Sequence, residues 1–450
     1  VTETIVAAAT PAGRSALAIV RVDGPLAASI ATAALGRKSP PAEKTSTLGI
    51  WRDQTGSPID QVVAVLWSAG RSFTGNDSLE ITCHGNPLLV RRITEDCLAR
   101  GGRLAEPGEF TRRSYLAGRI DLTQAEAVAD LIHASSERAL ASARRMLAGE
   151  LGRHVARWSD RTLQVLAELE AHIDFPEEDL PPEDPRGPAA RLAGIASELS
   201  AYARTAKHDG ALRAGLRVAV VGAPNAGKSS LLNALTGAER AIVSPEAGTT
   251  RDYLEAPVAG LPLAVTAIDT AGLRDGGSAV ENLGMTRALE QARGAHLLLL
   301  VVDASAEPPA LPAELVALLD PARTLVVANK ADLPAHPAQK DFLPQLTKLS
   351  ACLLDGRDAE KLRAKLGDFL IAQEIAPGAE ELVVSVRHAE AMARAAVALT
   401  EAVGHLKAPI QTELAAAQAR AALDALGEIV GRIDNERMLD KLFASFCIGK

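Results

Sequence analysis

A strand, a glycine-containing loop and a helix follow one another in LRVAVVGAPNAGKSSLLNAL, residues 216–235, and this stretch constrains the fold most. Leu216–Val221 is a short apolar, β-branched run that predicts a buried strand. Gly222–Ser229 has the pattern G-x-x-x-x-G-K-S, and Ser230–Leu235 has apolar residues at helical spacing. Glycines let backbone N–H groups approach phosphates, and the following helix adds the positive end of its dipole. The stretch therefore predicts a phosphate-binding loop, in preference to a glycine-rich turn that binds nothing.

Four shorter motifs follow this loop at workable spacing. They are Gly248-Thr249-Thr250-Arg251-Asp252 after Ile242-Val243, Asp269-Thr270-Ala271-Gly272 after the predicted strand 264–268, Asn329-Lys330-Ala331-Asp332 after 324–328, and Ser350-Ala351 after 346–349. Each motif, taken alone, has an alternative interpretation as a turn at the end of a strand. Their joint appearance in this order predicts an α/β GTP-binding domain.

The expected contacts to phosphate and metal follow from the chemistry of each residue. Lys228 is expected to reach the β- and γ-phosphates, and the hydroxyls of Ser229 and Thr250 are expected to hold Mg²⁺. Asp269 would bind a water of that ion. The Gly272 N–H would meet the γ-phosphate, and a glycine lets that peptide flip on hydrolysis.

The base is expected to be guanine. Guanine presents N1–H and a 2-amino group to one carboxylate, here that of Asp332, whereas adenine presents an acceptor and would leave the carboxylate unpaired. The predicted GTP contacts are Asn225, Ala226, Gly227, Lys228, Ser229, Ser230, Ser244, Thr249, Thr250, Asp269, Thr270, Ala271, Gly272, Asn329, Lys330, Asp332, Ser350 and Ala351.

Composition and charge further restrict the class of protein. The 450 residues suffice for about three domains, and the net charge of −8 excludes a globally basic surface for nucleic acid while leaving room for a local patch. Four cysteines form neither a CxxC pair nor a zinc spacing, so we expect a reduced, cytoplasmic protein. We find no apolar run near the about 20 residues of a membrane span, and no signal peptide.

The remainder of the chain divides by pattern. Residues 1–117 predict a mixed α/β domain, 118–213 a first helical part, 214–377 the GTP-binding domain and 378–450 a second helical part. Residues 175–188, FPEEDLPPEDPRGP, predict a turn or linker because of their five prolines. Helices before and after the nucleotide domain suggest that it is inserted into one helical domain, although two unrelated helical pieces remain the alternative.

Both within and beyond its GTPase motifs, the chain resembles the tRNA-modification GTPase MnmE (TrmE) family. The specific stretches are TIVAAATPAGRSALAIVRVDGP, DSLEITCHGNP, PGEFTRRSYLAGRIDLTQAEAV, IDFPEED and the terminal FCIGK. The resemblance implies an N-terminal folate-binding and dimerising domain, a helical domain, and a Ras-like G domain with a mainly parallel sheet inserted into the latter. It also implies a homodimer whose G domains meet in the GTP state.

The same resemblance implies the reaction. With the FAD-dependent partner MnmG (GidA), the protein would modify C5 of the wobble uridine (U34) of certain tRNAs with a tetrahydrofolate-derived one-carbon unit. Matched motifs assign folate contacts to Arg21, Glu80, Arg119 and Lys450. Without the resemblance, an ordinary ion pair beside a strand would be the preferred interpretation of Arg21 and Glu80.

Catalysis by the family uses K⁺ in place of an arginine finger, and Leu273 stands where Ras has its water-orienting glutamine. The resemblance assigns K⁺ ligands to Asn225, Ser244, Glu246 and Thr249.

Two further residues are catalytic candidates. Glu281 matches the glutamate that positions the attacking water, although spacing alone favours an exposed residue at the start of a helix. Cys447 matches the cysteine of the CIGK tail, but the sequence indicates no base beside it, which leaves its chemical role open.

The rival hypothesis is a ribosome-assembly GTPase that binds RNA without modifying it. Such proteins share the five GTP motifs but usually carry an RNA-binding module, and residues 378–450 contain no KH-type GXXG loop. A dynamin-like mechanical GTPase is a remote third option, because we find no membrane-binding stretch.

Overall fold

A computed structural model gives the fold. It describes residues 3–174, 186–210, 215–236, 254–258, 261, 265–269, 289–353, 357–373, 382–407, 409–431, 442–443, 446 and 449. The chain divides into two compact units. The first consists of Val1–Ile132, Ala143–Ser197 and Arg394–Lys450, and the second of His133–Ser142 and Glu198–Ala393.

The chain contains the following strands and helices among its described residues. The strands are β1 (Ile5–Ala8), β2 (Leu17–Asp23), β3 (Thr47–Arg52), β4 (Pro58–Trp67), β5 (Ser78–His84), β6 (Arg103–Leu104), β7 (Leu216–Gly222), β8 (Leu254–Val258), β9 (Val265–Asp269), β10 (Leu297–Asp303), β11 (Thr324–Asn329) and β12 (Thr347–Ser350). The helices are α1 (Ala27–Ala34), α2 (Pro87–Ala99), α3 (Glu109–Leu116), α4 (Leu122–His133), α5 (Glu137–Leu147), α6 (Glu150–Asp174), α7 (Arg186–Arg204), α8 (Lys228–Thr236), α9 (Ala313–Val316), α10 (Arg357–Ala372), α11 (Val386–His405) and α12 (Thr412–Val430).

The first unit contains a six-stranded sheet with the order β3-β4-β5-β2-β1-β6. Its pairs are antiparallel except β1 with β6. Apolar side chains of β2, β4 and β5 pack with Ile30 of α1 and Ile93 of α2 in one core. Helix α2 begins at Pro87, and the Asn86 side chain caps it by accepting from the Leu88 N–H at 2.9 Å. The predicted mixed α/β character is therefore confirmed for this part of the chain.

The helical part of the first unit is built around α6 and α12, which pack against each other. Small residues of α12 are buried along its length, including Ala415, Ala419 and Ala422. The helices before residue 175 are separate segments with breaks between them. Among these breaks, Gly118 at φ +66° and Gly149 at φ +75° adopt left-handed backbone conformations that end helical segments.

The prediction of a turn or linker over residues 175–188 was wrong for the last three residues. Helix α7 already begins at Arg186, which places Pro188 in its first turn. There a proline is tolerated, because the backbone N–H of that position has no partner inside the helix. Residues 175–185 lie outside the described residues.

The second unit contains a sheet with the order β12-β11-β10-β7-β9-β8. Neighbouring strands are parallel except β8, which pairs antiparallel with β9. Both faces are covered, since alternate residues of β7 and β10 enter two separate hydrophobic clusters. This arrangement explains the continuous apolar run in β10, and it confirms a mainly parallel sheet.

Three absences apply to the described part of the chain. No helix there is long and apolar enough to cross a membrane. No cluster of three metal-ligating side chains occurs among those residues. Of the cysteines described, Cys83, Cys97 and Cys352 form no disulfide, and burial raises the pKa of Cys83 to about 11 and that of Cys97 to about 12.

Candidate functional site

The loop between β7 and α8 has the backbone shape that a phosphate cradle needs. Asn225 at φ +61° and Gly227 at φ +104° adopt left-handed conformations. A Cβ on Gly227 would lie 2.1 Å from Asn329 Nδ2, and a Cβ on Gly222 would lie 2.3 Å from the Val301 carbonyl oxygen. Both glycines are therefore required by close packing beneath the loop.

Lys228 lies at the start of α8, where its ammonium group faces the loop. Its Nζ donates to the carbonyl oxygens of Gly222 at 2.9 Å and Ala223 at 2.8 Å. The charge is thus held beside the concave backbone and the helix N-terminus, two features that together favour an anion.

Asn329 joins this loop to the segment that follows β12. Its Nδ2 donates to the Ala226 carbonyl oxygen at 2.9 Å, and its Oδ1 accepts from the Leu353 N–H at 3.2 Å. The side chain is buried, with 5% of the residue exposed. One amide therefore fixes both the phosphate loop and the segment after β12, which brings Ser350 and Ala351 to the same edge.

Lys330 and Asp332 differ in their contacts. Lys330 Nζ forms an ion pair with Asp303 Oδ2 at 2.5 Å, and the Ser305 hydroxyl donates to Asp303 Oδ1 at 2.6 Å. Burial opposes ionisation of Asp303, but the bonds from Lys330 and Ser305 outweigh it and lower the pKa of this carboxyl. Asp332 is exposed and, among the described residues, forms no hydrogen bond. Its carboxylate is therefore accessible to the two adjacent donors of a guanine.

Asp269 ends β9, the strand that lies beside β7. Because the carboxyl ends of parallel strands meet at one edge of a sheet, Asp269, the phosphate loop and Asn329 lie at the same edge. Ser229, which is exposed on the first turn of α8, also lies there. The Ser229 hydroxyl is a hard oxygen donor of the kind that suits Mg²⁺.

The remaining predicted residues of this site lie outside the described residues. They are Ser244, Glu246, Thr249, Thr250, Thr270, Ala271, Gly272 and Glu281.

A second constellation lies on the sheet of the first unit. Arg21 of β2 stands directly opposite Glu80 of β5 in the antiparallel register. Arg21 Nη2 and Nε approach Glu80 Oε1 at 2.7 and 3.2 Å. The guanidinium also lies over the ring of Phe110, with Cζ 5.7 Å from its centroid. About a quarter of the Arg21 side chain and a third of the Glu80 side chain remain exposed.

Gly449, near the end of the chain, lies beside the Arg21–Glu80 ion pair. The Gly449 carbonyl oxygen lies 3.5 Å from Arg21 Nη1, and a Cβ on Gly449 would lie 2.3 Å from the Ala8 carbonyl oxygen. Gly449 is therefore packed closely on β1, beside Arg21. Cys447 and Lys450, its predicted functional neighbours, lie outside the described residues.

Arg119 forms hydrogen bonds with the loop between β4 and β5. Its Nη1 donates to the Gly70 carbonyl oxygen at 2.8 Å and its Nη2 to that of Ser72 at 3.3 Å. Arg119 also lines a cleft of about 630 Å³ together with Tyr115 and Gln124. That volume lies within the range of about 300–1,000 Å³ typical of small-molecule sites.

Comparison with known proteins follows the same division of the chain. The family model of the GTP-binding protein TrmE N-terminus matches residues 4–119, and that of the MnmE helical domain matches residues 122–447. The tRNA modification GTPase MnmE of Opitutus terrae is 47% identical over 100% of this chain and 99% of the relative. This chain belongs to the MnmE family of tRNA modification GTPases.

A second relative agrees with this assignment. The tRNA modification GTPase MnmE of Chlorobium chlorochromatii is 37% identical over 100% of this chain and 98% of that protein. A solved structure of Era from Aquifex aeolicus, bound to GDP.AlF4-, covers 41% of this chain and 66% of its own, at 24% identity and a TM-score of 0.29. A similarity this low supports no inference about function. Membership in MnmE confirms a GTP-hydrolysing enzyme, and it removes the basis for the ribosome-assembly alternative.

Sequence reasoning missed Asp303 and Phe110. Asp303 could have been predicted from the sequence, because it is a carboxylate at the carboxyl end of a buried strand beside the nucleotide motifs. The role of Phe110 could not have been predicted, since its contact with Arg21 depends on how α3 packs on the sheet.

Proposed function

We propose that this MnmE-family GTPase, together with an FAD-dependent partner of the MnmG type, modifies C5 of the wobble uridine of certain tRNAs. A reduced folate bound in the first unit would supply a one-carbon unit. GTP hydrolysis in the second unit would require K⁺ and the contact of two G domains in a homodimer. The proposed domain boundaries are those expected from the sequence: 1–117, 118–213, 214–377 and 378–450.

The folate part of the proposal is supported by the approach of the chain end to Arg21, which pairs with Glu80. Arg21 and Gly449 are separated by 428 positions, yet their atoms lie 3.5 Å apart. Cys447 and Lys450 are two and one residues from Gly449. Arg21 would bind a carboxylate or carbonyl of the folate, and Glu80 would accept from its pterin N–H groups. Lys450 and Arg119 would contribute further positive charge.

For hydrolysis, the loop and Lys228 would bind and orient the phosphates, while Asp332 would select guanine. Asn225, Ser244, Glu246 and Thr249 would hold K⁺, and Ser229 and Thr250 would hold Mg²⁺. These ions supply positive charge to the transferring phosphoryl group. Glu281 would orient the attacking water, a task that the apolar Leu273 cannot perform.

The experiment is calorimetric titration of the full-length protein with 5-formyl-tetrahydrofolate. Wild type should bind, and Arg21→Ala should weaken binding about 10- to 100-fold, since a hydrogen bond to a charged group contributes about 1.5–3 kcal/mol. Arg91→Ala provides the matched control, because Arg91 pairs with Glu95 on an exposed face of the same unit. Absence of binding by wild type, or equal affinities of the two variants, would rule out this site.

A further inference from the structure

The turn from α5 to α6 carries an unusual local charge. Residues 143–161 contain five arginines, no lysine and two carboxylates, whereas the whole chain has a net charge of −8. Arg144 lies in the last turn of α5, and Arg153 and Arg157 follow in the first turns of α6. All three are exposed. We call Arg144, Arg153 and Arg157 the arginine ridge.

Helical geometry aligns two members of the arginine ridge. Arg153 and Arg157 are four positions apart, so they lie on one face of α6, about 6 Å apart along its axis. Gly149, at φ +75°, makes the tight turn that places the last turn of α5 beside the start of α6. The three guanidinium groups are therefore carried by rigid elements rather than by a long loop.

Among the described residues, the guanidinium groups of the arginine ridge form no direct ion pair. Arg153 Nη1 donates to the Ala148 carbonyl oxygen at 2.7 Å, and Arg157 Nη2 lies 2.9 Å from His154 Nδ1. These acceptors are neutral. Glu150 pairs instead with Arg145, at 2.5 Å. Within the part of the chain that the structure describes, no carboxylate lies within 4 Å of a ridge guanidinium.

Three other exposed arginines of the same unit form ion pairs. Each of three on neighbouring helices binds a glutamate: Arg191 with Glu168, Arg394 with Glu428 and Arg420 with Glu170. The ridge thus differs from these three arginines in pairing, not simply in residue type.

His154 supports the ridge without neutralising it. Its ring stacks on Trp158, with centroids 5.7 Å apart and 28° between the planes. Burial and the nearby Arg157 lower the pKa of His154, so the ring is neutral at pH 7 and can accept from the Arg157 guanidinium. A restrained guanidinium loses less conformational freedom when it binds a ligand.

We propose that the arginine ridge binds the phosphate backbone of tRNA. The inference rests on the tRNA substrate of the proposed function. A protein with a net negative charge must hold a polyanion at a local positive surface, and guanidinium groups match phosphate geometry. Contacts of this kind position the RNA without reading its sequence. An acidic protein surface is the competing partner, and the test below separates the two.

The experiment measures binding of full-length protein to an unmodified tRNA transcript by filter retention. The KCl concentration is varied between about 50 and 200 mM, because contacts with phosphate weaken steeply over this range. A triple variant carries Arg144→Ala, Arg153→Ala and Arg157→Ala. Each lost phosphate contact should make the slope of log K against log salt less negative by about 0.7–0.9. The slope of the triple variant should therefore be less negative than that of wild type by about 2–3. A triple lysine variant should keep most of the slope, because it keeps the charge.

The matched control carries Arg191→Ala, Arg394→Ala and Arg420→Ala. It removes the same charge from the same unit, so a non-specific charge effect would lower both slopes equally and would overturn the proposal. An unchanged slope in a folded ridge variant would also overturn it, as would loss of binding to the FAD-dependent partner with tRNA binding intact. If the alanine variant melts early, the lysine variant and Arg153→Ala alone provide the comparison.

Failure of the ridge can be told apart from failure of the proposed function. Wild-type protein that restores wobble modification in deficient cells, alongside a ridge variant with the wild-type slope, would refute the ridge alone. Wild-type protein that restores no modification would refute the proposed function.

Discussion

Replacement of Asn329 by alanine should disconnect the nucleotide motifs from one another. The amide makes two hydrogen bonds, to the Ala226 carbonyl oxygen and from the Leu353 N–H, and both backbone groups belong to buried residues. A buried polar group left unpaired costs about 1–3 kcal/mol. Two such groups give about 2–6 kcal/mol, and water entering the space left by the amide would reduce this to about 2–4 kcal/mol.

Thermal unfolding of the nucleotide-free protein measures this loss. At about 2–4 °C per kcal/mol for a unit of roughly 200 residues, the second unit should melt about 4–16 °C lower. Affinity for a fluorescent GDP analogue should also fall, because the phosphate loop and the base-binding segment would no longer be held together.

Asn233→Ala is the control for Asn329→Ala. Asn233 is the same residue type in the same unit, but it is exposed on α8, so its replacement should leave melting and GDP affinity nearly unchanged. If Asn329→Ala behaves like this control, the amide does not hold the two motifs together.

The remaining predictions concern the nucleotide itself. Asp332→Asn should weaken GTP binding strongly and shift preference toward xanthine nucleotides, whose extra carbonyl accepts from an amide; unchanged GTP affinity in a titration would contradict the role of Asp332. Hydrolysis should be faster in KCl than in NaCl at equal ionic strength, and Asn225→Ala should abolish this difference while leaving nucleotide binding largely intact, since Lys228 and the loop amides remain. Glu281→Ala should slow turnover without changing the K⁺ preference for dimerisation, and equal wild-type rates in both salts at several protein concentrations would exclude the K⁺ mechanism.

Strongly patterned elements were predictable from the sequence. The strands β7, β10 and β11 are runs of mostly buried Leu, Val and Ala residues, so their pattern leaves few alternatives. Strand β3 was not predicted, because TLGIWR has exposed positions and lies at the sheet edge. Helix α1 was also missed, since the alanine-rich AASIATAA gives only a weak periodic signal.

Contacts between distant residues required the fold. Arg21 and Glu80 are 59 positions apart, and only the register of β2 against β5 places them opposite each other. Their pairing entered the sequence analysis through family resemblance, because no local pattern encodes register. The Asp303–Lys330 pair depends likewise on the parallel pairing of β10 with β11. The contacts of Arg119 with Gly70 and Ser72 depend on a loop whose path has no periodic signature.

Nucleoside analysis of tRNA from cells that lack this protein tests the proposed function most directly. Cells complemented with wild type should carry an aminomethyl or carboxymethylaminomethyl group at C5 of the wobble uridine. Cells complemented with Arg21→Ala should lack it, although the purified variant should hydrolyse GTP at the wild-type rate. An unmodified wobble uridine in the wild-type complemented cells, or the same modification in cells without the protein, would contradict a role in wobble modification.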